Sequence, residues 1–522
     1  MDYTLRNAVI QERGTARTVD LAIHEGKIQE IGNRLGPCGE DLDLKGALLL
    51  PAFTDSHLHL HGIAASFITV DLRDAVSLEE ALTAVARFAS GLPVDEWVAG
   101  GRWDCNRWPD SALPDRHSLD RVLPNHAVQL WSRDGHTLWL NTLALKRLGI
   151  TAQTPDPPGG KILHEEDGSP SGILLEKAAD AYAPKFSALV SPERLAKAVL
   201  QAAQALNRVG IVACNHFSGE EEYDAIAGLA RRLRLPLRLA IWLDQATLPR
   251  LIEQHLHSGE GDEQVKFGGL KIFADGALGS RTAWMLDPYA SSAQRGICAV
   301  DREALAADIG RAAKAGIATA VHAIGDAAVR MTLDCFASTA TENSRLRSRI
   351  EHAQLVNAVD LPRFHACGLM ASVQPIHAPH DRAMALRHWG EERTHHAYPY
   401  RSLDQLGVPL AFGSDAPVED PNPLPGIYAA VYRRLFSDPP EHAIGLEESL
   451  SLERALYAYT TGGAWGMYAE TSRGRLAPGL LADLAALDRD IFQDPSAMLP
   501  QARVVATFLG GEPVFLADNF RM

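Results

Sequence analysis

Pro51-Ala-Phe-Thr-Asp55, continued by Ser-His-Leu-His59, joins an apolar run to two histidines separated by one residue. On an extended chain, side chains at i and i+2 point the same way, so His57 and His59 can reach a single metal ion. An H-x-H triplet is common by chance, and its meaning depends on what surrounds it. Short apolar runs recur along the chain, most of them followed by a helical stretch, as (β/α) repeats require. Eight such runs are barrel-strand candidates: residues 48–53, 211–216, 237–242, 269–273, 317–322, 349–352, 369–373 and 409–413. Helices fit between several of them, at 302–314 and 328–339 for example. Eight strands predict an α/β chain built on a TIM-like (β/α)8 barrel, where an open doubly wound sheet would use fewer.

The rest of the chain divides around that barrel. Strand-like segments at 3–10, 19–23 and 27–31, and at 482–487, 504–509 and 513–516, are too few at either end to stand alone. A small composite β-sandwich domain from residues 1–50 and 470–522 is therefore expected, with the barrel over 51–60 and 196–469. The gap at 61–195 is too long for a βα loop. It carries helix signals at 78–89 and 139–148 and strand signals at 97–100 and 127–131, and reads as an inserted α+β subdomain after the first barrel strand, over the active site.

Four more metal-binding or ionisable residues stand at strand ends. Lys271 lies on the fourth candidate strand, His322 on the fifth, His352 on the sixth, and Asp415 just after the eighth. The C-terminal ends of barrel strands converge on one face. Four imidazoles and a carboxylate suit zinc or a similar borderline ion. Lys271 is the odd member, because an ammonium has no lone pair. A buried lysine can lose its proton, and the neutral amine can capture carbon dioxide as a carbamate. The alternative is a core lysine paired with Asp275.

Asp55-Ser-His-Leu-His59, Lys271, Val321-His-Ala-Ile-Gly-Asp326, Ile350-Glu-His-Ala-Gln354 and Gly413-Ser-Asp-Ala-Pro-Val-Glu419 together resemble the amidohydrolase superfamily. The stretch Lys271-Ile-Phe-Ala-Asp-Gly-Ala-Leu-Gly-Ser-Arg-Thr-Ala283 is similar to its YtcJ-like branch (amidohydrolase family 3), which includes N-substituted formamide deformylases, and Gly474-Arg-Leu-Ala-Pro-Gly-Leu-Leu-Ala-Asp-Leu484 looks like that superfamily's return into its β-domain. The resemblance implies two divalent metal ions, zinc by preference, held by His57, His59, Lys271, His322, His352 and Asp415, with a carboxylated Lys271 as the bridge. It implies a metal-bound hydroxide as nucleophile and Asp415 as the catalytic proton carrier. The function expected is hydrolysis of a non-peptide, amide-type C–N bond in a small molecule. Trp103, His136, Arg281 and His377 are candidate substrate-binding residues.

Other readings use the same fold. A hydrolytic deaminase typically carries a glutamate shortly after a strand-end histidine, and His322 is followed by Ala-Ile-Gly-Asp instead. Ester or lactone hydrolysis needs the same machinery. A non-catalytic binding protein would be marked by lost ligands, whereas all six positions are filled.

Composition narrows the partners. The net charge of −15 argues against nucleic acid and anionic membrane, which need clustered Lys and Arg. The 522 residues are 46% hydrophobic and 22% charged, an ordinary globular balance with no apolar run as long as a membrane span. Six scattered cysteines predict neither disulfides nor a Cys-based zinc site, and with no visible signal peptide the expectation is a cytoplasmic protein. Homo-oligomerisation is open on sequence alone.

Overall fold

The computed structural model describes all residues except 1, 13, 95, 110, 185–188, 219–222, 291, 521 and 522. Two compact units emerge, one formed by residues 1–60 and 203–522 and the other by 61–202.

In the first unit, eight parallel strands follow one another in chain order around a barrel. They are β1 (Phe53–Leu58), β2 (Ile211–Phe217), β3 (Arg238–Asp244), β4 (Val265–Phe273), β5 (Thr319–Ala323), β6 (Arg349–His352), β7 (Met370–Val373) and β8 (Leu410–Phe412). Nearly every residue of these strands is buried, as expected where helices cover the outer face of a parallel sheet. The ring closes just beyond β8. Asp415 N donates to His57 O at 2.7 Å, His59 N donates to Ala416 O at 2.8 Å, and Leu58 bridges Ala416 in parallel register.

The first strand departs from the sequence expectation. The run 48–53 serves two sheets: Leu48–Pro51 pairs antiparallel with Leu484–Leu487, and only from Phe53 does the chain enter the barrel. Pro51 lacks the N–H to continue a ladder, so the handover falls there. His57 consequently lies within β1 rather than after it.

Both termini contribute to a second, eight-stranded sheet. Its path runs Glu512–Leu516, Val504–Leu509, Leu484–Leu487, Leu48–Pro51, Tyr3–Glu12, Thr15–His24 and Lys27–Gly32, with Glu40–Asp43 also paired to Tyr3–Glu12. Alternating side chains such as Leu5, Leu21, Ile23, Ile28, Leu49 and Phe508 form its own core. Arg238 of β3 is tied to Asp483 by a buried bidentate pair at 2.8 and 2.9 Å, and Asp483 also accepts from Gly510 N.

The 61–202 unit has a six-stranded sheet ordered Gly160–His164, Pro170–Glu176, Thr137–Leu140, Val128–Ser132, Val98–Trp103, Val70–Asp71. Helix Leu78–Ala89 starts where expected, because the Ser77 side chain accepts from Glu80 N while Glu80 accepts from Val76 N. The helix expected at 139–148 is shorter. Thr137–Leu140 is a strand, and Asn141 caps helix Thr142–Leu148 by accepting from Ala144 N at 2.9 Å. The Asn141 amide also donates to the carbonyls of Leu123 and His126, which fixes the break. Among the described residues no helix is long and apolar enough to cross a membrane.

Candidate metal centre

The strand ends bring the six expected residues to one end of the barrel. His57, His59 and Asp415 form one compact group, their potential ligand atoms all within 4.8 Å of one another. Asp415 Oδ1 lies 3.5 Å from His57 Nε2 and 3.3 Å from His59 Nε2. The His352 ring is 4.9 Å from that of His57, and the His322 ring is 4.5 Å from His352. Lys271 Nζ stands 4.6 Å from the centre of the Phe217 ring, which itself stacks on His57 at 4.1 Å.

Each imidazole is held by one ring nitrogen, leaving the other for a ligand. His57 Nδ1 meets Glu351 Oε2 at 2.6 Å, His59 Nδ1 meets Phe217 O at 3.0 Å, His352 Nδ1 meets Gln374 Oε1 at 2.8 Å, and His322 Nε2 meets Gly276 O at 3.0 Å. Such outer partners fix ring orientation and tautomer in metal sites. Glu351 is itself anchored, with Oε1 at 3.0 Å from Arg349 Nε, and the Arg349 guanidinium carbon lies 3.8 Å from the centre of the Trp242 ring. Two of the site residues hold left-handed backbone angles, His352 at φ 71° and Asp415 at φ 59°. For residues with a Cβ this conformation is costly, and it persists only where surrounding structure enforces it.

Burial sets the charge states. It pulls the His322 imidazole down to about 4, and those of His57 and His352 well below their usual value, with Lys271 adding to the effect at all three. These rings are thereby neutral lone-pair donors near pH 7. Burial works against ionisation of Asp415, but His57 and His59 beside it hold its carboxyl well below the usual range. Burial also brings the Lys271 ammonium down to about 8.

Lys271 Nζ is buried and has no hydrogen-bond partner among the described residues. Asp275, the expected rival partner, accepts from the backbone N–H groups of Trp284, Ile324 and Gly325 at 2.8–3.0 Å, and burial pushes its carboxyl up to about 7.

The four substrate-contact expectations fall in different places. His377 opens helix His377–His388, is buried, and stacks nearly parallel to His352 at 6.3 Å. Arg281 is exposed in the loop after β4, with a left-handed backbone. Trp103 sits in the core of the 61–202 unit against Trp108 and Trp139, its indole N–H donating to Leu130 O at 3.0 Å. It is packing material there, as large aromatics usually are. His136 is exposed in the same unit and meets Glu176 at 3.0 Å.

Sequence reasoning gave no role to three supporting side chains. Asp55 accepts from Ser414 Oγ at 2.5 Å and from His57 N at 3.0 Å, tying β1 to the segment after β8. Glu351 and Gln374 orient His57 and His352. The available signal was a Glu and a Gln within or just after strands whose other residues are buried, where a polar side chain needs a partner.

The amidohydrolase family profile matches residues 40–515. The chain is 31% identical over 519 residues to the protein YtcJ of Bacillus subtilis, covering 96% of both chains. It is 26% identical over 517 residues to the N-substituted formamide deformylase of Arthrobacter pascens, covering 93% of this chain and 92% of that one. A crystal structure of an uncharacterized metal-dependent hydrolase from Pyrococcus furiosus superposes with a TM-score of 0.77 at 30% identity, over 94% of this chain and all of that one. With the family profile spanning nearly the whole chain and the barrel carrying its histidines at the strand ends, this protein belongs to the amidohydrolase family.

Proposed function

We propose that this metal-dependent hydrolase cleaves a non-peptide, amide-type C–N bond of a small molecule at a two-metal centre. His57, His59, His322, His352, Asp415 and a carboxylated Lys271 would hold the ions. The observation that carries this reading is the Lys271 amine, buried, without a hydrogen-bond partner among the described residues, and with its ammonium pulled down to about 8. A buried polar atom left open in this way calls for a missing group. Addition of carbon dioxide to the neutral amine, with loss of one proton, would give a carbamate whose two anionic oxygens are metal-ligand atoms, which the amine with its proton is not. The donor set suits zinc.

When bound, the divalent ions supply Lewis acidity towards the substrate carbonyl and make a water molecule acidic near neutral pH. The chain's own residues do the rest. Asp415, ionised and against two imidazoles, takes a proton from the attacking water and delivers it to the departing nitrogen. Glu351, Gln374, Phe217 O and Gly276 O keep the four rings aimed. The similarity to an N-substituted formamide deformylase supports a C–N bond as the target. The test is a panel of N-formyl, N-acyl and cyclic amides beside matched esters, lactones and aminated heterocycles, run on metal-loaded protein. Turnover of amides above esters is expected. Turnover confined to esters, or to ammonia release from ring amines, would overturn it.

A further inference from the structure

Two glutamines stand behind two nearly parallel imidazoles, and they present opposite ends. Gln374 offers its carbonyl, Oε1, to His352 Nδ1 at 2.8 Å. Gln354 offers its amide nitrogen, Nε2, to His377 Nδ1 at 3.3 Å. The orientation of Gln354 is fixed from behind. The same Nε2 lies 3.3 Å from Asp381 Oδ2, an oxygen that already accepts from the Tyr398 hydroxyl at 2.7 Å. An oxygen on which a phenol and an amide converge is an acceptor, so the donor end of Gln354 must face it. Turning the amide would set its carbonyl oxygen against a carboxylate. Tyr398 is held in turn, its backbone N–H donating to Gln354 O and its ring fully buried.

The consequence lies in the ring tautomers. His352 Nδ1 faces an acceptor, so it carries the hydrogen, and Nε2 keeps a lone pair suited to a metal. His377 Nδ1 faces a donor, so it is the acceptor, and the hydrogen sits on Nε2. That Nε2 is buried, with no hydrogen-bond partner among the described residues. The His377 ring is 6.3 Å from His352 and inclined by only 13°. An N–H at this position is a poor metal ligand and a good hydrogen-bond donor.

We propose that Gln354, Asp381 and Tyr398 hold His377 as its Nε2–H tautomer, and that this N–H binds the carbonyl oxygen of the substrate as negative charge builds on it. His377 is then a catalytic residue, and Gln354 and Asp381 are positioning residues acting through it. The identity of the bound oxygen rests on the amide-hydrolase reading; the tautomer does not.

Histidine-selective 15N NMR of the metal-loaded protein separates the two parts, with His377→Ala used to assign the signal. The expected spectrum has the His377 hydrogen on Nε2, moved by excess acetate, a small carboxylate that offers the same acceptor chemistry. Gln354→Glu, of the same shape but presenting only oxygens, should transfer the hydrogen to Nδ1, while Gln354→Leu leaves a mixture. With the best amide of the panel, His377→Ala and Gln354→Glu should each lower kcat by about 10²–10³ with KM and metal content nearly unchanged, the size found for loss of one oxyanion donor. Gln354→Leu should lie between them and the parent. A wild-type hydrogen on Nδ1, or an Nε2–H signal indifferent to acetate, overturns the proposal whatever the substrate proves to be. Equal kcat in Gln354→Glu and Gln354→Leu would reduce Gln354 to a packing residue and remove the positioning role. Failure of the whole amide panel beside the expected spectrum would refute the substrate reading and leave the tautomer standing.

Discussion

The core of the 61–202 unit and the strand ends of the barrel both bury side chains with polar tips, and two residues in particular, Trp103 in the first and His377 in the second, differ in how those tips are met, although the Trp108 indole N–H of the first region also has no hydrogen-bond partner among the described residues. In the first, the Trp103 and Trp139 indoles donate to the carbonyls of Leu130 and Asp115, and Asn141 satisfies four backbone groups. In the second, Lys271 Nζ and His377 Nε2 are buried without hydrogen-bond partners among the described residues. Leaving a buried polar atom open costs on the order of 1–3 kcal/mol, and where such an atom stands among metal-binding side chains a ligand can recover that cost. Residue type alone would have ranked a tryptophan beside a cleft and a histidine behind a strand as equals. The state of their polar atoms separates them.

The largest effect expected from this contrast is at Lys271. Lys271→Ala should strip one or both metals, read by elemental analysis, and lose nearly all turnover, with short carboxylic acids restoring a part. Full metal and full activity in that variant would break the link between an open polar atom and function. Trp103→Ala should instead cost about 3–5 kcal/mol of stability in a denaturant titration, with metal content and substrate preference unchanged. A changed preference at unchanged stability would move Trp103 to the functional side.

The Arg238–Asp483 pair tests the satisfied class by pH. Asp483 is buried, which raises its carboxyl, but Arg238 outweighs this and the net shift is downward. A folded value below the unfolded one means stability that is present above about pH 4 and lost as pH falls through the folded value. Asp483→Asn should therefore cost about 3–5 kcal/mol at pH 7, with the gap to the parent narrowing only below about pH 4. A gap independent of pH would show that the ion pair contributes through shape alone. Glu351→Gln keeps the shape behind His57 and removes the charge, so metal affinity should drop about 10–100-fold while the fold survives. His136→Ala, at an exposed pair, should change stability by less than about 0.5 kcal/mol. A larger change would mean that the surface histidine does more than meet Glu176.

Much of this is legible in the sequence. Short apolar runs followed by helical stretches mark the barrel, and strand-end histidines mark one face of it. The run 48–53 reads as one barrel strand but serves two sheets, because hydrophobicity does not tell which of two sheets a buried strand joins, and only Pro51 marks the exchange. The helix at 139–148 was drawn too long because Trp139 and Leu140 suit either state, and Asn141 resolves it through contacts far along the chain. Trp103 is a candidate substrate contact by residue type alone, whereas its core neighbours Trp108 and Trp139 are named only by the fold. Glu351 and Gln374 were invisible for the same reason: their partners, His57 and His352, are 294 and 22 residues away in sequence.

The seam that closes the barrel has a consequence for how this protein comes into being. His57 and His59 belong to the first strand, and Asp415 follows the last, joined to them through Asp55–Ser414 and two backbone bonds. More than three hundred residues separate these contacts, and closure entropy must be met before they can form. A nascent or truncated chain lacking the final strand holds the histidine pair without its carboxylate. The compact three-ligand group therefore cannot form until the chain through Asp415 is in place, and its capture of an ion would report a closed ring.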